Sequence, residues 1–215
     1  MEECEFTAEL EENYGIVAHQ MNTALTTIQL MLENIETPHR KELQSELVAL
    51  KRYVDMLIPF LQIQDRTGKE TRQSLSLDDI VKEVLRKSAM QFIANDNSLD
   101  FQPLDCEVYS NERKLALVID LAIFAVSKNS KRDLISIYMD TTHKKRLVIE
   151  NHTANYSLED IEGILAQGYG GSGTKREKQT TGIELYVCHQ ILNSLSHRIY
   201  VTTNDSMGMR LMLQF

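Results

Sequence analysis

An apolar repeat in the first 65 residues leaves this chain few choices of fold. Leu10, Tyr14, Val17, Met21, Ala24, Ile28, Met31 and Ile35 follow one another at alternating steps of 4 and 3. Leu43, Leu47, Leu50, Val54, Leu57 and Leu61 repeat the alternation. Such spacing keeps one stripe of a helix apolar over many turns, which is the seam of a helical bundle. Between the two stretches, Glu36-Thr37-Pro38-His39 breaks the pattern. Thr37 is suited to cap the second helix and Pro38 to its first position. The segment therefore reads as a helical hairpin.

The stripe is wider than a hairpin can cover. Ala18, Leu25 and Leu32 add an apolar flank at the e position of the heptad. Two hairpins packed as a four-helix bundle would bury it, which predicts a homodimer. The alternative is a monomeric hairpin packed on the chain's own C-terminal part.

The pattern changes after a polar stretch, Asp65–Gln73, that includes Gly68. The expected division is a hairpin domain over 1–66, a linker over 67–75 and a second domain over 76–215. Asp78–Asn95 reads as an amphipathic helix starting at Ser76 or Leu77, and Asn111–Ser130 as a strongly apolar one. Leu158–Gln167 and Thr181–Leu195 are further helices. Strands are expected at Leu99–Leu104, Glu107–Tyr109, Leu134–Thr141 and Arg146–Asn151, with a closing hairpin of Arg198–Thr203 and Met209–Phe215. Helices interleaved with a hairpin-connected sheet predict an α+β fold whose second domain is a two-layer sandwich.

Composition excludes several classes of function. A formal net charge of −8 argues against nucleic acid as a partner, because phosphate backbones require clustered cations. Cys4, Cys106 and Cys188 show no paired spacing, and the six histidines show no metal-ligand pattern, so neither a disulfide framework nor a metal site is expected. No apolar run approaches a membrane span, and the acidic Met1–Asn13 is unlike a secretory leader. A cytoplasmic location is expected, with any membrane sensor region outside this sequence.

His19 falls at heptad position f, the outermost ridge of the first helix. An exposed helical histidine usually does nothing, but its neighbours are specific. The run His19-Gln20-Met21-Asn22-Thr23 resembles the phosphoacceptor box of bacterial sensor histidine kinases, in the variant used by the antibiotic-sensing, intramembrane-sensing group. The resemblance implies that His19 is the phosphoacceptor. Neutral imidazole is a competent nucleophile toward a phosphoryl group. Gln20 is placed to hydrogen-bond the ring without acting as a base. Thr23, one turn on, is in that family a residue that positions water for dephosphorylating the partner. Ala24 stands where the family usually has Pro.

Further stretches carry the resemblance along the chain. Arg52-Tyr53-Val54-Asp55-Met56 with Leu61-Gln62 resembles the end of the second bundle helix. Pro103-Leu104-Asp105-Cys106 with Asn111-Glu112 resembles the first strands and turn of the family's ATP-binding domain. Thr181-Gly182-Ile183-Glu184-Leu185 resembles its glycine box. The second domain is thereby similar to the GHKL-type ATPase fold, with Lys128, Asn151, Thr181 and Gly182 at nucleotide-site positions.

The nucleotide boxes nonetheless depart from the family pattern. Ala125 stands where the magnesium-binding Asn belongs, and alanine offers no oxygen to a hard cation. The box Asp-x-Gly-x-Gly reads Asn151-His152-Thr153-Ala154-Asn155. Glu184 replaces a glycine, setting a carboxylate where a triphosphate would be expected. The glycine-rich lid Gly168–Gly173 and the basic run Lys175–Lys178 remain, and read as a surface loop and a solvated segment. The expected cofactor is none, with ATP and magnesium retained only if this altered site still works. Three functions stay open: phosphoryl transfer between His19 and the receiver domain of a response regulator, an ATP-dependent autokinase, and a non-catalytic scaffold.

Overall fold

The computed structural model describes residues 21, 23–33, 40, 43, 44, 47, 50, 51, 54, 56, 71–128, 130–140, 142, 145–153 and 181–215. The chain divides into two compact units, Met1–Lys69 and Glu70–Phe215. In the first, residues 23–33 are helical, as are those described between 40 and 56. Leu25, Leu47 and Val54 form its buried cluster, with Leu32 packed against them. The contact therefore runs through the flank residues of the first helix. The seam residues Ile28, Met31, Leu43 and Leu50 are 46–60% exposed. One hairpin covers only one side of a stripe this broad, and the flank is the side it covers.

The second unit is a mixed sandwich. Strand β1 (Gln73–Ser76) leads into helix α1 (Leu77–Ala94), followed by β2 (Ser98–Phe101), β3 (Glu107–Ser110) and α2 (Glu112–Lys128). Then come β4 (Leu134–Asp140), β5 (Arg146–Asn151), α3 (Thr181–Ser194), β6 (Arg198–Thr203) and β7 (Met209–Gln214). The last residues of the segment read as a linker thus form a strand, paired antiparallel with β3. The main sheet has the order β2-β4-β5-β7-β6, parallel only between β2 and β4. Leu158–Gln167 and Gly168–Thr180 lie outside the described residues.

Capping chemistry sets the helix ends. Ser76 accepts a hydrogen bond from the Asp79 N–H, and Asp78 and Asp79 place negative charge in the first turn of α1. Asn111 caps α2 by accepting from the Lys114 N–H. Both α1 and α3 stop in the same way. The Asn97 N–H reaches back to Phe92 O, and the His197 N–H to Leu192 O. Asp96 and Ser196 take the left-handed backbone at φ 53° and 64° that this Schellman ending requires. A strand follows one residue later in each case, so both helices feed directly into the sheet.

Helix α2 is the spine of the core. It packs on α1, on α3 and on strands β5 and β7. Leu115, Ile119, Leu121 and Ile123 on α2 are fully buried, as are Leu147, Ile149, Leu211 and Leu213 beneath it. At about 1.5–3 kcal/mol for each large apolar side chain, this layer supplies much of the driving force for folding.

Candidate functional site

Of the nucleotide-site positions read from the sequence, Asn151 sits where the C-terminal end of α2 meets the end of β5 and the start of β7. Strand alternation turns Leu147, Ile149 and Asn151 toward the helices. Asn151 therefore enters the core as the last residue of β5, and it is wholly buried. Its Nδ2 donates to Val126 O and to Ser130 Oγ, both at 2.8 Å. Its Oδ1 accepts the Met209 N–H at 2.8 Å. Both donor hydrogens and one acceptor lone pair of the amide are engaged with this chain's own atoms. The side chain acts as a clasp between the end of α2 and the start of β7.

A second clasp holds the turn after β5. Asp133, 2% exposed, accepts the His152 N–H on Oδ1 and the Thr153 N–H on Oδ2, each at 3.1 Å. His152 in turn lies with its Nε2 3.0 Å from Ser136 Oγ. Thr153, which stands at the first glycine position of the box that this stretch resembles, is thus tied down with its neighbour by a buried carboxylate. Neither Asp133 nor Ser130 stands out in the sequence. Periodicity marks apolar positions and is silent about a polar residue buried at the start of a strand.

The far side of the sheet carries a charged cluster that sequence reasoning also missed. Glu150 accepts hydrogen bonds from Arg210 Nε at 2.7 Å, Tyr138 Oη at 2.9 Å and Asn204 Nδ2 at 3.1 Å. Burial works against the Glu150 charge, but the bonds from Arg210, Asn204 and Tyr138 outweigh it and hold the carboxyl below its usual range. Burial first, and Glu150 second, push the Tyr138 hydroxyl up. Asn204 also donates to Asn151 O at 2.7 Å, which joins this cluster to the first clasp.

The other sequence-named residues fall as follows. His19 and Gln20 lie outside the described residues, as do Ala154, Asn155 and the glycine-rich stretch. Thr23 is exposed on the first helix, and its carbonyl accepts from Thr27 Oγ1 at 3.0 Å. Lys128 closes α2, and Thr181 and Gly182 open α3, with their backbones alone described. Ala125 is fully buried. So is Glu184, one turn from the Cys188 thiol. Burial first, then Glu184 and Asp120, push that thiol far above its ordinary pKa. Among the described residues, no three His, Cys, Asp or Glu side chains gather as a metal-holding group.

No family model matches the chain. It is 20% identical over 209 residues to the sensor histidine kinase YxdK of Bacillus subtilis, covering 92% of this chain and 62% of that protein. It is also 20% identical over 209 residues to the sensor protein kinase GraS of Staphylococcus aureus, covering 95% of this chain and 60% of that protein. Its homologues are sensor histidine kinases. The chain spans about three fifths of the length of each of these curated relatives.

Solved histidine kinases share the fold. The Acinetobacter baumannii kinase AdeS aligns over 92% of this chain and 96% of its own, with a TM-score of 0.60 and 16% identity. The nucleotide-free catalytic domain of ThkA aligns over 67% of this chain with a TM-score of 0.56 and 16% identity. ThkA in complex with the response regulator TrrA aligns over 100% of this chain and 60% of its own, with a TM-score of 0.59 and 16% identity. The five-stranded sheet and its helices share the fold of these solved histidine kinases. Among the described residues, no helix is long and apolar enough to cross a membrane.

Proposed function

We propose that this chain is the cytoplasmic core of a two-component signalling protein in which His19 exchanges a phosphoryl group with the receiver domain of a response regulator, without ATP as its own donor. The observation that carries this reading is a contrast. The acceptor box His19-Gln20-Thr23 is intact in the sequence, whereas Asn151, at the adenine-binding position, is consumed by its own fold. Ala125 and Glu184 add to it. One offers magnesium no oxygen, and the other is a carboxylate buried in the first turn of α3. These residues do not fit a nucleotide with its metal, so no step is routed through ATP. The division into a hairpin domain over 1–66 and an ATPase-like domain over 76–215 belongs to the same reading.

The likeness to ThkA, which is solved with the response regulator TrrA, supports a receiver domain as partner. The exposure of Ile28, Met31, Leu43 and Leu50 supports a homodimer, because a second hairpin would cover them. Light scattering on the purified chain should give twice the monomer mass of 24.7 kDa. A monomer would remove the four-helix bundle.

The deciding experiment starts from a phosphorylated regulator. Its phosphoryl group should pass to His19, or be lost faster, in the presence of this chain. A His19→Ala variant should abolish the effect. If that variant behaves like the parent, the scaffold reading takes over. Calorimetry should find no useful ATP–magnesium binding, and micromolar affinity would restore the autokinase.

A further inference from the structure

Thr71, Arg72 and Gln73 lie just after the boundary between the two units, and their side chains and backbone are fastened to two distant helix ends. The Arg72 guanidinium donates from Nη1 to Leu195 O and from Nη2 to Ser194 O, both at 3.1 Å. Those carbonyls close α3, more than 120 residues away in sequence. Helix α3 has no basic residue in its own last turn. Its negative end is therefore met by a cation from the start of the unit, through charge-assisted bonds of the stronger class. On the other side, Asn111, the cap of α2, donates from Nδ2 to Thr71 O at 3.2 Å. Gln73 Nε2 donates to Glu112 Oε2 at 3.2 Å in the first turn of α2.

We infer that Arg72 is a positioning residue that ties the place where the chain enters the C-terminal unit to α3. A displacement there is carried along the helix to Thr181 and Gly182 at its other end. A 14-residue helix is a stiff rod of about 21 Å, so a pull at one end moves the other. The inference goes beyond the function proposed above and needs neither the His19 chemistry nor a nucleotide.

Amide hydrogen exchange on the full chain tests it, with Arg72→Gln and Arg72→Lys compared to the parent. For Arg72→Gln, which removes both charge-assisted bonds, exchange should quicken at least about tenfold both in 192–198 and in 185–188, the first amides of α3 with an acceptor inside the helix. Strands β4 and β5 should be unchanged. Arg72→Lys keeps the charge but not the two-pronged fork, and should restore protection at 185–188 only in part. A change confined to 192–198 would make Arg72 a local cap and overturn the coupling. So would no change, a uniform rise that includes β4 and β5, or full rescue by lysine.

Discussion

Gly208 sits against the backbone of Asn151 so closely that a Cβ there would overlap the Asn151 carbonyl oxygen and come to 2.9 Å from its Oδ1. The turn between β6 and β7 is thus pressed onto the end of β5, with Asn204 bridging to Asn151 O and accepting the Gly208 N–H. Gly208→Ala should destabilise the chain by about 1–3 kcal/mol, the usual range for forcing a methyl into packed atoms. Urea denaturation reads this directly. An unchanged midpoint would mean that the turn yields freely.

Asn151→Asp would restore the family's residue type without restoring its role. A carboxylate cannot donate to Val126 O or Ser130 Oγ, and it would be buried facing a carbonyl oxygen. Leaving such groups unpaired costs about 1–3 kcal/mol each, and more with charge. The variant should melt below both the parent and Asn151→Ala at neutral pH. The gap between the two variants should narrow in acid, as the aspartate gains a proton and becomes a donor. A fluorescent ATP analogue should still not bind, and binding by this single variant would contradict the clasp as the block.

The burial of His197 should make the fold sensitive to mild acid. Its Nε2 lies 3.0 Å from Ser110 Oγ and its ring meets Phe215 edge-on. Burial first, and the Arg72 charge second, hold the ring below its ordinary pKa of 6.5. The unfolded chain therefore takes up this proton at a higher pH than the folded one. The stability present above pH 6.5 is lost as pH falls through that value toward the lower folded pKa. Denaturation midpoints should drop as pH falls below 6.5, and less steeply in His197→Gln. Equal slopes would clear His197 of the effect.

Two helix endings can be improved. Asp96 and Ser196 hold left-handed backbone that costs a residue with a Cβ about 1–2 kcal/mol. Asp96→Gly and Ser196→Gly should each raise stability, by roughly 1 kcal/mol once the greater freedom of the unfolded glycine chain is offset. Thermal melts of the single variants and the pair check this. The two sites are in separate turns, so their gains should add.

Much of the architecture was legible in the sequence, and the reasons are specific. Strand β5 has the expected bounds, Arg146–Asn151, and α1 starts after Ser76 because an apolar period with a serine ahead of it marks a capped helix. Strand β1 was not legible. Its four residues Gln73–Ser76 bury only Leu75, and the strand exists because β3 offers it a partner some thirty residues later. The hairpin's seam was legible as apolar, but not which residues pack within one chain. Leu25 and Leu32 face Leu47, while Met31 stays outside.

The sequence by itself determined most of the described elements, the likeness of the run around His19 to an acceptor box, and the departures from that likeness at Ala125, Asn151 and Glu184. Local spacing and residue chemistry are enough for that, since helices, strands and motifs are written in neighbouring positions. Only the tertiary structure decided what the altered residues do instead. Asn151 needs Val126 from α2, Ser130 just beyond that helix and Met209 from β7, and Asp133 needs the turn after β5. Such partners meet only once the sheet is assembled, because a buried polar group takes its hydrogen bonds from whatever the fold brings beside it.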